Sequence, residues 1–248
     1  MENITSRKNR YITHLRSLAA DGAYRRSRCE YAADGIKLLR EALASGAEVT
    51  SVLWKGQAES IALPAGCDEY TAPEDLFDYA SPMKNSPGPV FTVRMPADAA
   101  GDFTNAIVLE NVQDPGNVGT VIRTANAFGI GAVILTGACA DLYSPKTVRA
   151  TMGAIFRQRV MTVPAAKLPA LLKEHGLPLY GAALDESSAD IRGMDIKNAA
   201  VAIGSEGQGL SAELISMCRG LLIIPMQPCS ESLNAGVAAS VVMWEMAR

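Results

Sequence analysis

NVQDPGNVGTVIRTANAFG, residues 111–129, decides how the chain is read. The apolar run Ala106-Ile107-Val108-Leu109 leads into it. Pro115, Gly116 and Gly119 then mark a loop, and from Val118 to Phe128 the apolar spacing is helical. Two later stretches, IGSEGQGLS (203–211) and IIPMQPCSESLNAGVAAS (223–240), repeat this order of apolar run, loop and helix. The runs AIVL, AVIL, AVAI and LLII lack polar alternation, as strands buried on both faces do. The fold class expected is α/β, a parallel sheet with helices on both faces. Ligands of such sheets sit outside the carboxyl ends of the strands. All three loops occupy such ends, so they are expected to build one pocket.

Working outward, strands are predicted over 106–109, 132–136, 178–182, 199–203 and 220–224, with a further run at 159–163. Helices are predicted over 118–128, 144–152, 167–175, 211–217 and 234–247. Along the last helix Val237, Val241 and Trp244 recur and must bury against the sheet or a partner subunit. The front of the chain is less regular. A helix from Asn9 to Ala20 ends at Asp21-Gly22, and CEYAAD (29–34), VTSVLW (49–54), DEY (68–70) and VFTVR (90–94) read as strands. GIKLLREALASG (35–46) and PEDLFDYA (73–80) read as helices, and SPMKNSPGPV (81–90) as a loop. Residues 1–95 form one expected domain, 96–104 a linker, and 105–248 a second domain.

The hydrophobic share of 48% is ample for a core in a chain of 248 residues. No apolar run is long enough to span a membrane and no leader pattern opens the chain, so a cytoplasmic protein is expected. Five scattered cysteines and only two histidines, His14 and His175, argue for reduced thiols and against a metal site. The net charge of −3 conceals an asymmetry: residues 1–40 hold nine Lys/Arg against four Asp/Glu. Arg7, Lys8, Arg10, Arg25, Arg26 and Arg28 in that segment are candidate phosphate-backbone contacts, since such clusters match that charge; a solvated surface explains them equally.

The loops carry the candidate chemistry. Asn117 follows Asp114, Pro115 and Gly116 and reads either as a helix cap or as a functional amide. Arg123 falls on a different helix face from Val118, Val121, Ile122 and Ala125, and by itself reads as a surface residue. GSEGQG (204–209) allows close backbone approach, yet it is neither a dinucleotide fingerprint nor a phosphate loop. Glu206 between its glycines has no packing role. In the third loop Ser232 or Asn234 is the expected helix cap.

Taken in order, the three motifs resemble those of the SpoU-type, TrmH-like RNA ribose 2′-O-methyltransferases of the SPOUT superfamily, across residues 106–248. Residues 1–95 resemble more loosely the small α/β RNA-substrate-binding domain of many members. The resemblance implies a C-terminal trefoil knot, an S-adenosylmethionine site in it, a homodimer through the knotted domain, and no metal. It places the cofactor on backbone groups of Gly204, Ile224 and Leu233, beside Met226, with Glu206 and Gly209 at the same site. It assigns the chemical centre to Arg123, supported by Glu206, Asn117, Ser232 and Asn234. A guanidinium is a poor base, so stabilisation of a developing alkoxide or an assisting RNA phosphate is expected. Pro228 and Ala235-Gly236 depart from the family pattern. The expected activity is 2′-O-methylation of structured RNA, ribosomal RNA first. Transfer RNA, a non-catalytic RNA-binding assembly factor and an unrelated flavodoxin-like nucleotide enzyme are the alternatives.

Overall fold

The computed structural model describes residues 1–97, 101–227 and 232–248. Among them the chain divides into two compact units, one of residues 1–97 with 141–156, the other of residues 98–140 with 157–248.

The first unit begins with a short strand β1 (Glu2–Asn3), helix α1 (Arg10–Ala20) and helix α2 (Gly22–Arg28). Strand β2 (Glu30–Asp34), helix α3 (Ile36–Ala44), strands β3 (Val49–Lys55) and β4 (Asp68–Ala72), helix α4 (Glu74–Ala80) and strand β5 (Val90–Arg94) follow. Its sheet runs β1-β4-β3-β5-β2, parallel between β1, β4 and β3 and antiparallel on either side of β5. Asn9 caps α1, and Ile12, Leu15 and Leu18 of that helix are buried. A half-buried polar chain crosses the β2 end of the sheet: His14 Nε2 lies 2.9 Å from Glu30 Oε2, and Thr50 Oγ1 donates to Glu30 Oε1. Burial opposes ionisation of Glu30, but hydrogen bonds from His14 and Thr50 outweigh it and hold the carboxyl below its ordinary range.

Helix α2 was not anticipated. Asp21 is extended, at φ −124° and ψ 113°, and so ends α1, but its carboxylate accepts from the N–H groups of Ala23 and Tyr24 and starts α2 at once. The three arginines 25, 26 and 28 fall in its last turn, where the helix dipole favours cations. This changes one of the candidate RNA contacts. Arg25 is 4% exposed, with Nη1 donating to Leu18 O at 2.5 Å and Nη2 to Asp141 Oδ2 at 2.7 Å, so it is a core ion pair and not a phosphate ligand. Arg7, Lys8, Arg10, Arg26 and Arg28 are exposed as expected; Arg7 lies over the ring of Tyr79 and Arg28 over that of Tyr24.

Asp141 belongs to a segment far along the chain, after strand β6 (Ala106–Glu110), helix α5 (Pro115–Phe128) and strand β7 (Ala132–Thr136) of the second unit. Residues 141–156, with helix α6 (Pro145–Ala150), pack in the first unit, where Tyr143 lies against Tyr31 at 4.7 Å between ring centres. The second unit resumes with strand β8 (Val160–Thr162), helix α7 (Leu168–Glu174), strands β9 (Leu179–Ala182), β10 (Ala189–Asp190) and β11 (Ala200–Ile203), helix α8 (Ala212–Met217), strand β12 (Gly220–Ile223) and helix α9 (Ala235–Ala247).

Its sheet is wholly parallel in the order β10-β12-β9-β11-β6-β7-β8. Ala106, Val108, Ala132, Ile134, Ala200 and Ala202 pack with Leu168 and Leu172 of α7 and Leu214 of α8. The alternate residues Ile107, Leu109, Val133 and Val201 are equally buried, and α5 and α9 touch β7 and β11 on that face. Helices therefore cover both faces, as the unbroken apolar runs require. The apolar positions Val237 and Trp244 of α9 do not face the sheet: they are 49% and 56% exposed, while Ala235, Ala239, Val242, Met243 and Met246 are buried. Cys29, Cys67, Cys139 and Cys218 are free thiols, and burial pushes Cys218 up to about 11. No helix among the described residues is long and apolar enough to cross a membrane.

Replacing Arg25 by methionine removes the Arg25 donor from Asp141 Oδ2 and Leu18 O and is expected to lower unfolding stability by about 2–4 kcal/mol. Arg26→Ala, at an exposed position, is expected to change it by less than about 0.5 kcal/mol in the same denaturant titration.

Candidate functional site

All strands of the second sheet point the same way, so the loops after β6, β9, β11 and β12 emerge along one edge. Asn111 leaves β6 in the left-handed region at φ 56°, and its Oδ1 accepts from Ala138 N at 2.7 Å, tying this loop to the one after β7. Helix α5 then begins at Pro115, three residues earlier than its apolar spacing indicated, with proline in the first turn. Its cap is Asp114, which accepts from Asn117 N at 2.8 Å. Asn117 is therefore not the cap. Its side chain is freed for another contact, and Nδ2 donates to Glu206 Oε1.

Glu206 stands on the turn after β11. That turn doubles back tightly: Gly209 N donates to Ser205 O at 2.9 Å, and Gly209 has φ 65°. A Cβ on Gly204 would lie 2.1 Å from the Gly209 carbonyl carbon, so glycine is required there by the turn's own fold. Oε1 of Glu206 also receives Ala235 N, at 3.4 Å, the first residue of α9. The cap of α9 is Asn234 and not Ser232: its side-chain oxygen accepts from Gly236 N at 3.0 Å and Val237 N at 3.2 Å. Asn117 from the first turn of α5, Glu206 from the turn after β11 and Asn234 from the head of α9 thus gather at one place.

A second tie carried no motif. Glu110, the last residue of β6, is 5% exposed and accepts from Ser211 N at 2.7 Å and Ser211 Oγ at 2.6 Å. Ser211 in turn caps α8. A carboxylate ending an otherwise apolar buried run was the available signal, since a buried charge needs partners.

Beside these ties lies a cavity of about 550 Å³. Ile224, Met226, Ser232 and Leu233 line one part of it, and Ser205, Glu206 and Gly209 another. β12, α8 and α9 add Leu221, Ile215 and Ala238, and a further part of the wall comes from the end of β9, Ala182 to Asp185, which carried no motif either. The expectation that all three loops line one pocket is therefore corrected. The second and third do, joined by the loop after β9, whereas the first meets them through Asn117 on Glu206 and through the packing of α5 on α9. Gly204 is not among the lining residues. Arg123 is exposed and makes no polar contact among the described residues, and it is not drawn into the Asn117–Glu206–Asn234 cluster. Pro228 lies outside the described residues.

The profile of the SpoU rRNA Methylase family matches residues 104–244, which contain all of these loops. The chain belongs to this family. It is accordingly a methyltransferase. It is 29% identical over 247 residues to the 23S rRNA (guanosine(2553)-2′-O)-methyltransferase RlmP of Bacillus subtilis, covering 99% of both chains. It is also 28% identical to the 23S rRNA (uridine(2479)-2′-O)-methyltransferase of Streptomyces viridochromogenes, covering 99% of this chain and 91% of that one. The crystal structure of an AdoMet-bound rRNA methyltransferase from Sinorhizobium meliloti superposes with a TM-score of 0.85 at 25% identity, covering 98% of this chain and 96% of that one.

Truncating Glu110 to alanine leaves the part-buried Ser211 N–H without its acceptor and is expected to cost about 1–3 kcal/mol in thermal or denaturant unfolding. Glu110→Gln, which keeps one acceptor, is expected to cost less; equal losses would show that the two hydrogen bonds do not hold the loop.

Proposed function

We propose that the protein transfers a methyl group from S-adenosylmethionine to a ribose 2′-hydroxyl in structured RNA, specifically ribosomal RNA. The observation that carries this is the cavity built by the second and third family motifs at the carboxyl edge of the parallel sheet. Its volume lies within the range of about 300–1,000 Å³ usual for small-ligand sites. Apolar walls from Leu184, Leu221 and Leu233, with a few polar groups, fit a ligand that has an aromatic base and a charged end. Ribosomal rather than transfer RNA is preferred because two relatives matched along nearly their whole length are both named for 23S rRNA.

Ile224, Leu233 and Met226 would hold the cofactor on one side and the Ser205–Gly209 turn on the other. Gly204 contributes by allowing that turn to close. Bound there, S-adenosylmethionine supplies a methyl group activated on a sulfonium. The protein's own task is to place the ribose hydroxyl and ease loss of its proton. Arg123 serves that task by charge: a guanidinium offers donors to a developing alkoxide or to an RNA phosphate. With no partner among the described residues, it is available for that role. Asn117 and Glu206 orient the groups between α5 and the cavity, Asn234 fixes the head of α9, and Ser232 supplies a hydroxyl at the cavity wall.

The first unit is proposed to bind the RNA through Arg7, Lys8, Arg10, Arg26 and Arg28. A homodimer through the second unit is supported by the exposed Val237 and Trp244 on α9, an apolar surface of the kind that marks an interface. The family's C-terminal trefoil knot and a cytoplasmic location belong to the same proposal.

Arg123→Ala is expected to lower methyl incorporation into RNA at least about 100-fold while leaving the unfolding midpoint unchanged, since the side chain is exposed and has no partner among the described residues. Near-normal incorporation of tritiated methyl would remove Arg123 from the chemistry. Glutamine at Arg7, Lys8, Arg10, Arg26 and Arg28 together is expected to flatten the salt dependence of RNA binding, by a slope of about 0.7–0.9 for each phosphate no longer neutralised. An unchanged slope would assign these side chains to solvent.

A further inference from the structure

Two of the residues lining the cavity, Asp185 and Glu206, carry carboxylates, and among the described residues no lysine, arginine or histidine lines it. Glu206 is engaged by Asn117 and Ala235. Asp185 has no such tie to another loop. It follows the end of β9 in a turn that is fastened locally: Ser188 Oγ donates to Ala183 O at 2.9 Å and Ser188 N to Asp185 O at 3.0 Å. One carboxylate oxygen accepts from Ser187 N at 2.8 Å and Ser187 Oγ at 2.6 Å. Those two hydrogen bonds hold the carboxyl below its ordinary range, so it is an anion at neutral pH. The cavity therefore presents fixed negative charge with no compensating cation in its wall.

Resting on the reading of this cavity as the cofactor site, we propose that Asp185 is a specificity residue that favours the cationic methyl donor over its neutral product. The donor carries a sulfonium, an ammonium and a carboxylate, a net charge of +1. In the transfer the carbon–sulfur bond breaks with its electron pair left on sulfur. The methyl carbon bonds to the ribose oxygen, and the hydroxyl proton leaves to solvent. The remaining thioether is left with an ammonium and a carboxylate, a net charge of zero. A wall of negative charge attracts the first as an ion and the second only as a dipole, so the attraction falls when the reaction is complete. This helps a cavity of apolar walls, which hold donor and product alike, to release what it has used.

The test is calorimetric titration of the full chain with three probes: S-adenosylmethionine, S-adenosylhomocysteine, and sinefungin, which carries a protonated amine where the donor has its methylated sulfur. Asp185→Asn is nearly isosteric and keeps an acceptor for Ser187. It is expected to weaken the two cationic ligands about three- to fivefold and the neutral one less than about twofold, with the difference shrinking as salt is raised. Asp185→Glu, which restores the charge, is expected to recover the preference. Equal weakening of all three ligands would make Asp185 a structural residue and overturn the proposal, as would an unchanged ratio. Wild-type protein that binds none of the three overturns the cofactor reading as well, whereas wild-type binding with a ratio insensitive to Asp185 overturns this inference alone.

Discussion

Glu206 sits on an exposed turn, yet its Oε1 accepts from the side-chain amide of Asn117 on α5 and from the backbone N–H of Ala235 at the head of α9. Charge-assisted hydrogen bonds of this kind are short and directional, and here one joins two loops that share no backbone hydrogen bonding. Through it the first motif, none of whose residues line the wall, is hydrogen-bonded to a residue that does, alongside the packing of α5 on α9. Glu110 and Ser211 repeat the device from the buried side, fixing the end of β6 to the start of α8. The parallel sheet delivers the loops to one edge, and two carboxylates set their spacing.

Burial and partners sort the charged residues into those that build the protein and those left to act. Arg25 and Arg123 are the clearest pair. Both follow a loop that opens a helix, and neither looks exceptional in sequence. Arg25 lies under α1 with its guanidinium committed to Leu18 and Asp141, whereas Arg123 is exposed with no commitment among the described residues. A buried arginine with its donors mostly used has no spare capacity for a ligand, whereas an exposed one can meet a substrate at little reorganisation cost. The same division separates Asn234, which is consumed in capping α9, from Asn117, which Asp114 releases from that duty.

Much of the second unit was legible because its strands are unbroken apolar runs and its helices carry caps or glycine stops. The parallel sheet follows from AIVL, AVIL, AVAI and LLII, and the order of its elements from their alternation. What was not legible depended on long-range placement. Helix α2 was hidden because Asp21-Gly22, a stop by local rules, also caps the next helix. Segment 141–156 packs in the first unit, which nothing in its own composition announces. Asp185 and the loop after β9 escaped notice because a tight Asp-Glu-Ser-Ser turn reads as ordinary turn chemistry; its place at the cavity is set by strand order. Within these loops the division between caps and free groups needed geometry: Asp114 rather than Asn117, Asn234 rather than Ser232.

The Asn117–Glu206 link is the hydrogen bond that joins the first motif directly to a residue of the cavity wall. A double-mutant cycle with Asn117→Ala and Glu206→Gln, read by single-turnover methyl transfer to RNA, tests it directly. If the link acts as one unit, the double variant is no slower than the slower single variant, a coupling of about 1 kcal/mol or more. Independent losses that simply add would show that the two residues serve separate purposes and that the loops are held together by something else.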